Sequence, residues 1–102
     1  MERRARKELG VAPSLLGFGC MRFPTLEGGA IDEDKALAML DRAYRGGVNY
    51  YDTAWGYHNG NSELVMGKAL ARHPREKFYL ATKFPGYDLS NMGKVEEIFE
   101  KQ

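Results

Sequence analysis

The order in which the apolar pattern changes period constrains this chain most. Leu15 to Phe18 is a short apolar run, and Ala36, Leu37, Leu40, Ala43 and Tyr44 then recur at helical spacing. Val48-Asn49-Tyr50-Tyr51 is short again and rich in residues that suit a pleated surface. Val65, Met66, Ala69 and Leu70 return to the helical period, Phe78 to Thr82 forms a third short run, and Met92, Val95, Ile98 and Phe99 make a third helical stripe. The pattern predicts strand, helix, strand, helix, strand, helix. Strands that alternate with helices pair in parallel through right-handed crossovers, so the fold class is α/β. Two architectures fit. One is an open doubly wound sheet; the other is part of a (β/α)8 barrel, of which this chain would supply about three βα units.

Punctuation agrees with this order. Asp32 is placed to cap the first helix, with Glu33 and Asp34 favourable in its first turn, and Gly46 and Gly47 stop it. Ser62 is expected to cap the second helix, which Arg72, His73 and Pro74 bring to an end. Ser90 or Asn91 is expected to open the third. Residues 1–13 stand apart from residues 14–102. Arg3, Arg4, Arg6 and Lys7 against Glu2 and Glu8 give a local excess of +2, leaving −1 for the remainder. A basic, flexible arm is one reading, and a solvated terminus is the simpler one.

Composition narrows the function classes. Hydrophobic residues are 43% and charged residues 28%, the balance of a folded chain rather than a disordered one. No stretch approaches the roughly 20 apolar residues of a membrane span. No apolar run follows the charged first eight residues, so no secretory leader is expected. A net charge of +1 argues against nucleic acid as a partner. The single cysteine, Cys20, excludes an internal disulfide and suits a reducing, cytoplasmic compartment.

In either architecture, sites lie beyond the carboxyl ends of the strands. The residues there are Gly19-Cys20-Met21-Arg22, then Asp52-Thr53-Ala54-Trp55-Gly56-Tyr57, then Lys83-Phe84. A carboxylate, a phenol and an amine would share one rim. A phenol is a weak acid near neutrality, an adjacent ammonium favours its ionised form, and a carboxylate holds that ammonium in place. Such a group protonates a carbonyl oxygen while hydride reaches the carbon, and no side chain supplies hydride, so a nicotinamide cofactor would be needed. Each residue also has a simpler role: Asp52 as a loop cap, Tyr57 packed on Trp55, Lys83 as a solvated strand end.

Sharper motifs fail. Gly17-Phe18-Gly19 lacks the third glycine of a dinucleotide fingerprint, because Arg22 stands there. Gly67-Lys68-Ala69 lacks the hydroxyl residue of a phosphate loop. His58 and His73 have no second ligand at metal spacing, so no metal site is expected.

Leu16-Gly17-Phe18-Gly19-Cys20-Met21-Arg22 and Gly47-Val48-Asn49-Tyr50-Tyr51-Asp52-Thr53-Ala54-Trp55-Gly56-Tyr57 carry a resemblance. Asn61-Ser62-Glu63, Gly67-Lys68-Ala69-Leu70 and the run from Pro74 to Lys83 extend it. Over residues 15–100 the chain resembles the aldo/keto reductase family, and within it the bacterial branch whose longer members often carry a carboxyl-terminal iron–sulfur domain. The resemblance implies the amino-terminal part of a TIM (β/α)8 barrel. It implies NADPH-dependent reduction of small-molecule aldehydes or ketones, with NADH as the alternative cofactor, bound without a Rossmann fold. By motif match, Asp52 would be the ion-pair partner, Tyr57 the general acid and Lys83 the group that tunes it. Gly19, Cys20, Met21 and Arg22, with Asp52, would line the nicotinamide end, and Trp55 would face the substrate.

The departures shape the expectation. The family's catalytic histidine belongs at the end of a fourth strand, and neither His58 nor His73 lies in its motif. The segments that grip the adenosine phosphate are also absent, and the family's amino-terminal hairpin looks shortened around Glu8 to Pro13. The alternative function is therefore an inactive truncated fragment or an assembly module that pairs through its sheet edges. Self-association, or pairing with the missing barrel portion, follows from open edges and an incomplete core.

Overall fold

The computed structural model describes residues 1–102. Strands β1 (Phe18–Gly19), β2 (Tyr50–Asp52) and β3 (Tyr79–Ala81) form one parallel sheet in the order β1-β2-β3. Helices α1 (Glu33–Arg45), α2 (Asn61–Leu70) and α3 (Val95–Lys101) follow them in turn. The alternation read from the sequence is the observed one. Both crossovers step in the same direction, and α1 packs against α2 on one side of the sheet. A (β/α)8 barrel builds its wall this way, one strand after the next.

Register decides which side each strand residue takes. Phe18 pairs with Tyr51, and Tyr51 with Leu80, so these three share the helix side. Tyr51 is fully buried there, with Leu40 of α1 and Met66 of α2 in the same core. Gly19, Asp52 and Ala81 pair across the opposite face. That face would line a barrel interior.

Local chemistry explains the element boundaries. The Asp32 side chain accepts from the Lys35 amide at 3.3 Å and caps α1. At the other end Gly47 is left-handed at φ 95°, its amide bonds Tyr44 O, and the Val48 amide bonds Ala43 O. This paired closure is a Schellman motif, and it needs a residue tolerant of positive φ at Gly47. Ala36 and Leu40 are buried, Leu37 and Ala43 pack beside them, and half-buried Tyr44 stacks on His73 at 3.6 Å. On α2, Val65, Met66, Ala69 and Leu70 are all buried, as their spacing requires.

Three expectations shift. β1 begins only at Phe18, because the Ser14 hydroxyl donates to Leu16 O and bends the chain, leaving Leu15 and Leu16 exposed. Ser62 does not cap α2: the helix starts at Asn61 after left-handed Gly60, and Ser62 turns inward. The third helix is preceded by a 3-10 turn over Leu89–Lys94. Asp88 caps that turn by accepting from the amide and hydroxyl of Ser90. Of its predicted stripe only Ile98 is buried; Met92, Val95 and Phe99 are exposed, since no layer packs on that side.

Residues 3–14 fold as an antiparallel hairpin, with Arg3 opposite Ser14, Arg6 opposite Val11 and left-handed Gly10 at the turn. Buried Asn49 stitches it to the start of β2, accepting from the Ser14 amide at 2.6 Å and donating to Ala12 O at 3.1 Å. The Tyr79 hydroxyl accepts from the Ala12 amide at 2.8 Å. The hairpin thus covers the amino ends of the strands, leaving the carboxyl ends free. No helix is long and apolar enough to cross a membrane.

Candidate active site

The β2–β3 ladder continues past the strands and sets the site. Thr53 donates its amide to Ala81 O at 2.8 Å, and Trp55 donates to Lys83 O at 3.2 Å. Asp52 pairs with Ala81, and Lys83, two residues on, returns to the face that Asp52 occupies. The Lys83 Nζ donates to Asp52 Oδ1 and, at 2.9 Å, to Thr53 O. It also lies over the Tyr57 ring, 5.1 Å from the centroid. The acid that ends β2 and the phenol that follows it therefore meet around the one ammonium that follows β3.

Electrostatics follow the geometry. The Asp52 carboxylate holds the Lys83 ammonium above its ordinary pKa against a smaller cost of desolvation, and Tyr57 adds to the rise. The side chains of Lys83 and Asp52 are 49% and 38% exposed, so the pair contributes only about 0–1 kcal/mol to stability. Its significance lies in chemistry: it keeps a cation and a phenol together at an open rim.

The β1 end supplies the other wall. Gly19, Met21 and Arg22 are exposed, and open space surrounds the position a Cβ would take at Gly19. Cys20 is fully buried; its Sγ lies 3.1 Å from Met66 Sδ, and burial foremost pushes its thiol up to about 12. Only the backbone of Cys20 meets the rim: its amide bonds Asp52 O and its carbonyl accepts from Ser62. The open space at Gly19 leaves room for a flat ring against the backbone there. Trp55 and Tyr57 are half-buried on the β2 loop, and the Tyr87 hydroxyl stands where a side chain at Gly56 would collide with it.

Sequence reasoning passed over several supporting residues. His58 accepts from the Phe23 amide at 2.9 Å through Nε2 and stacks on the Phe23 ring. His58 and Asn59 are both left-handed, at φ 52° and 54°, a conformation that non-glycine residues rarely hold without such anchoring. Glu63 accepts from Thr82 at 2.6 Å and from Gln102 at 2.9 Å, and Gln102 also donates to Lys83 O. Ser62 lies one turn before the Val65, Met66, Ala69 stripe, a spacing that hints at its inward position but not at its partners.

Residues 15–101 match the Aldo/keto reductase family. The chain is 40% identical over 84 residues to aldo-keto reductase AFTS1 of Alternaria alternata, covering 80% of this chain and 23% of that protein. It is 39% identical over 74 residues to D-threo-aldose 1-dehydrogenase of a Pseudomonas species, covering 72% and 22% respectively. Among solved structures, aldo-keto reductase AKR11C1 of Bacillus halodurans, in its holo form, superposes with a TM-score of 0.68 at 39% identity. That superposition covers 82% of this chain and 26% of the other. This chain spans about a quarter of the length of the relatives it matches. With the match running through every strand and helix of the fold, the chain belongs to the aldo/keto reductase family.

Proposed function

We propose that this chain carries the proton-donating half of a carbonyl reductase site, working as the amino-terminal portion of an NADPH-dependent barrel. The observation that carries the reading is the Lys83 ammonium, held by Asp52 and lying over Tyr57. NADPH, or NADH in its place, supplies the hydride when bound. The Tyr57 hydroxyl delivers a proton to the carbonyl oxygen of an aldehyde or ketone as the carbonyl carbon is reduced. Lys83 stabilises the phenolate left behind, and Asp52 keeps Lys83 charged and aimed. Gly19, Met21, Arg22 and the Cys20 backbone flank the nicotinamide end, and Trp55 forms a wall of the substrate pocket. A single unpaired thiol suits the cytoplasm.

The test combines NADPH fluorescence titration with turnover of a generic aldehyde by the chain, Tyr57→Phe and Lys83→Met. The reading expects both variants to lose at least about 100-fold in turnover, the usual contribution of a general acid. Undiminished turnover in Tyr57→Phe, or no NADPH binding by a folded sample, would remove it.

A further inference from the structure

We infer that Thr53 and Ser62 are positioning residues for the Asp52–Lys83 pair, acting through one directed chain of buried hydroxyls that joins the ends of β1 and β2 to the start of α2. Ser62 is 0% and Thr53 1% exposed. The Ser62 Oγ donates to Cys20 O at 2.9 Å, and the two hydroxyl oxygens lie 2.7 Å apart. Each hydroxyl has one proton, and a carbonyl can only accept. The Ser62 proton is therefore committed to Cys20 O, and the Thr53 proton to Ser62 Oγ. Direction along the chain is fixed without any choice of rotamer.

Both ends of this chain attach to the main chain that carries the ion pair. Cys20, at one end, donates its amide to Asp52 O at 2.9 Å. Thr53, at the other, offers its carbonyl to the Lys83 Nζ at 2.9 Å and follows Asp52 directly in sequence. A rotation at the end of β2 would move both acceptors of the Lys83 ammonium at once, and the hydroxyl chain opposes that rotation. Satisfying two buried hydroxyls would by itself account for these bonds; what singles them out is that Thr53 also presents its main-chain carbonyl to the Lys83 Nζ. A dry environment strengthens such a bonded chain and penalises its interruption.

The assignment rests on reading Asp52, Tyr57 and Lys83 as a carbonyl-reducing group, but its test reads Lys83 directly. Lysine-selective NMR of the 102-residue chain would follow the Lys83 titration, with Asp52 and Tyr57 from the β2 end and the buried Cys20 thiol from β1 as its titratable neighbours. The native chain should titrate above the ordinary lysine range. Thr53→Val and Ser62→Ala should each lower that midpoint by about half a unit or more, as the carboxylate loosens. Thr53→Ser, which keeps the hydroxyl, should restore it. An unmoved midpoint in folded Thr53→Val and Ser62→Ala would overturn the assignment. So would loss of the fold in both, because the hydroxyls would then hold the core and not the pair. No cofactor or substrate enters this measurement. Undiminished turnover in Tyr57→Phe, or no NADPH binding, would sink the reductase reading alone, and an unmoved Lys83 midpoint would sink the positioning role alone.

Discussion

Cys20, Tyr51 and Lys83 each keep a proton in the folded chain that the unfolded chain releases more readily. Burial pushes the Cys20 thiol and the Tyr51 phenol each up to about 12, and the Asp52 carboxylate raises Lys83. All three pKa values are raised, so the linked stability is complete below the unfolded values. It drains as pH climbs from about 8.5 for the thiol and about 10 for the phenol toward the folded values. The urea midpoint should therefore fall steadily above about pH 8.5, and Tyr51→Phe should flatten the upper part of that fall. A midpoint constant from neutrality to strongly alkaline pH would contradict both burials. The same burial makes the thiol inert. Iodoacetamide should leave Cys20 unmodified in the folded chain near neutral pH and alkylate it in urea; rapid labelling without urea would show that the side chain is reachable.

Among the elements, the hairpin over residues 3–14 is secured chiefly by one residue just before β2. Asn49 is 6% exposed, and its amide group satisfies the Ser14 amide and the Ala12 carbonyl together. Asn49→Ala leaves the buried Ser14 amide and the half-buried Ala12 carbonyl without this partner, and should destabilise by about 1–3 kcal/mol in urea unfolding. A change below about 0.5 kcal/mol would mean that the hairpin is not part of the cooperative unit. Asp32→Ala, which removes a single capping acceptor, should cost about 1 kcal/mol by the same measurement. Asn49 therefore matters more to the fold than the cap that a sequence pattern picks out first.

At the scale of the molecule, the shape is a slab of 40 × 38 × 20 Å with a radius of gyration of 14.8 Å. A compact domain of this length would have about 13 Å. Only 19 of 102 residues are buried, both outer sheet edges are open, and Leu80, Val95 and Phe99 are 39%, 48% and 72% exposed. Open edges and exposed apolar side chains favour pairing. The isolated chain should self-associate with concentration in sedimentation velocity, and Phe99→Glu with Leu80→Lys should shift it toward monomer. A monodisperse monomer with a sharp two-state melt would defeat that expectation.

The alternation of strands and helices, the buried stripe Val65, Met66, Ala69 and Leu70, and the glycine stop of α1 were all legible in the sequence, because period and chain-end chemistry act over a few residues. The candidate site was legible in part for the same reason: Asp52 and Lys83 end apolar runs, and parallel strands present such ends on one rim. A buried, inert Cys20 thiol is the simplest expectation for a residue after a strand, and it is buried; that it therefore meets the rim only through its backbone was not legible, since a two-residue strand has no alternation to read and the pairing of β1 with Tyr51 and Asp52 sets its face. Nor was the role of Ser62, which looks like a cap until the left-handed turn before it starts the helix one residue earlier. Met92, Val95 and Phe99 show the same limit, for a helical stripe states which face is apolar and not whether anything lies against it. Periodicity is local and survives in one dimension; facing, register and cover come from contacts between residues far apart in the chain, and those exist only once the chain has folded.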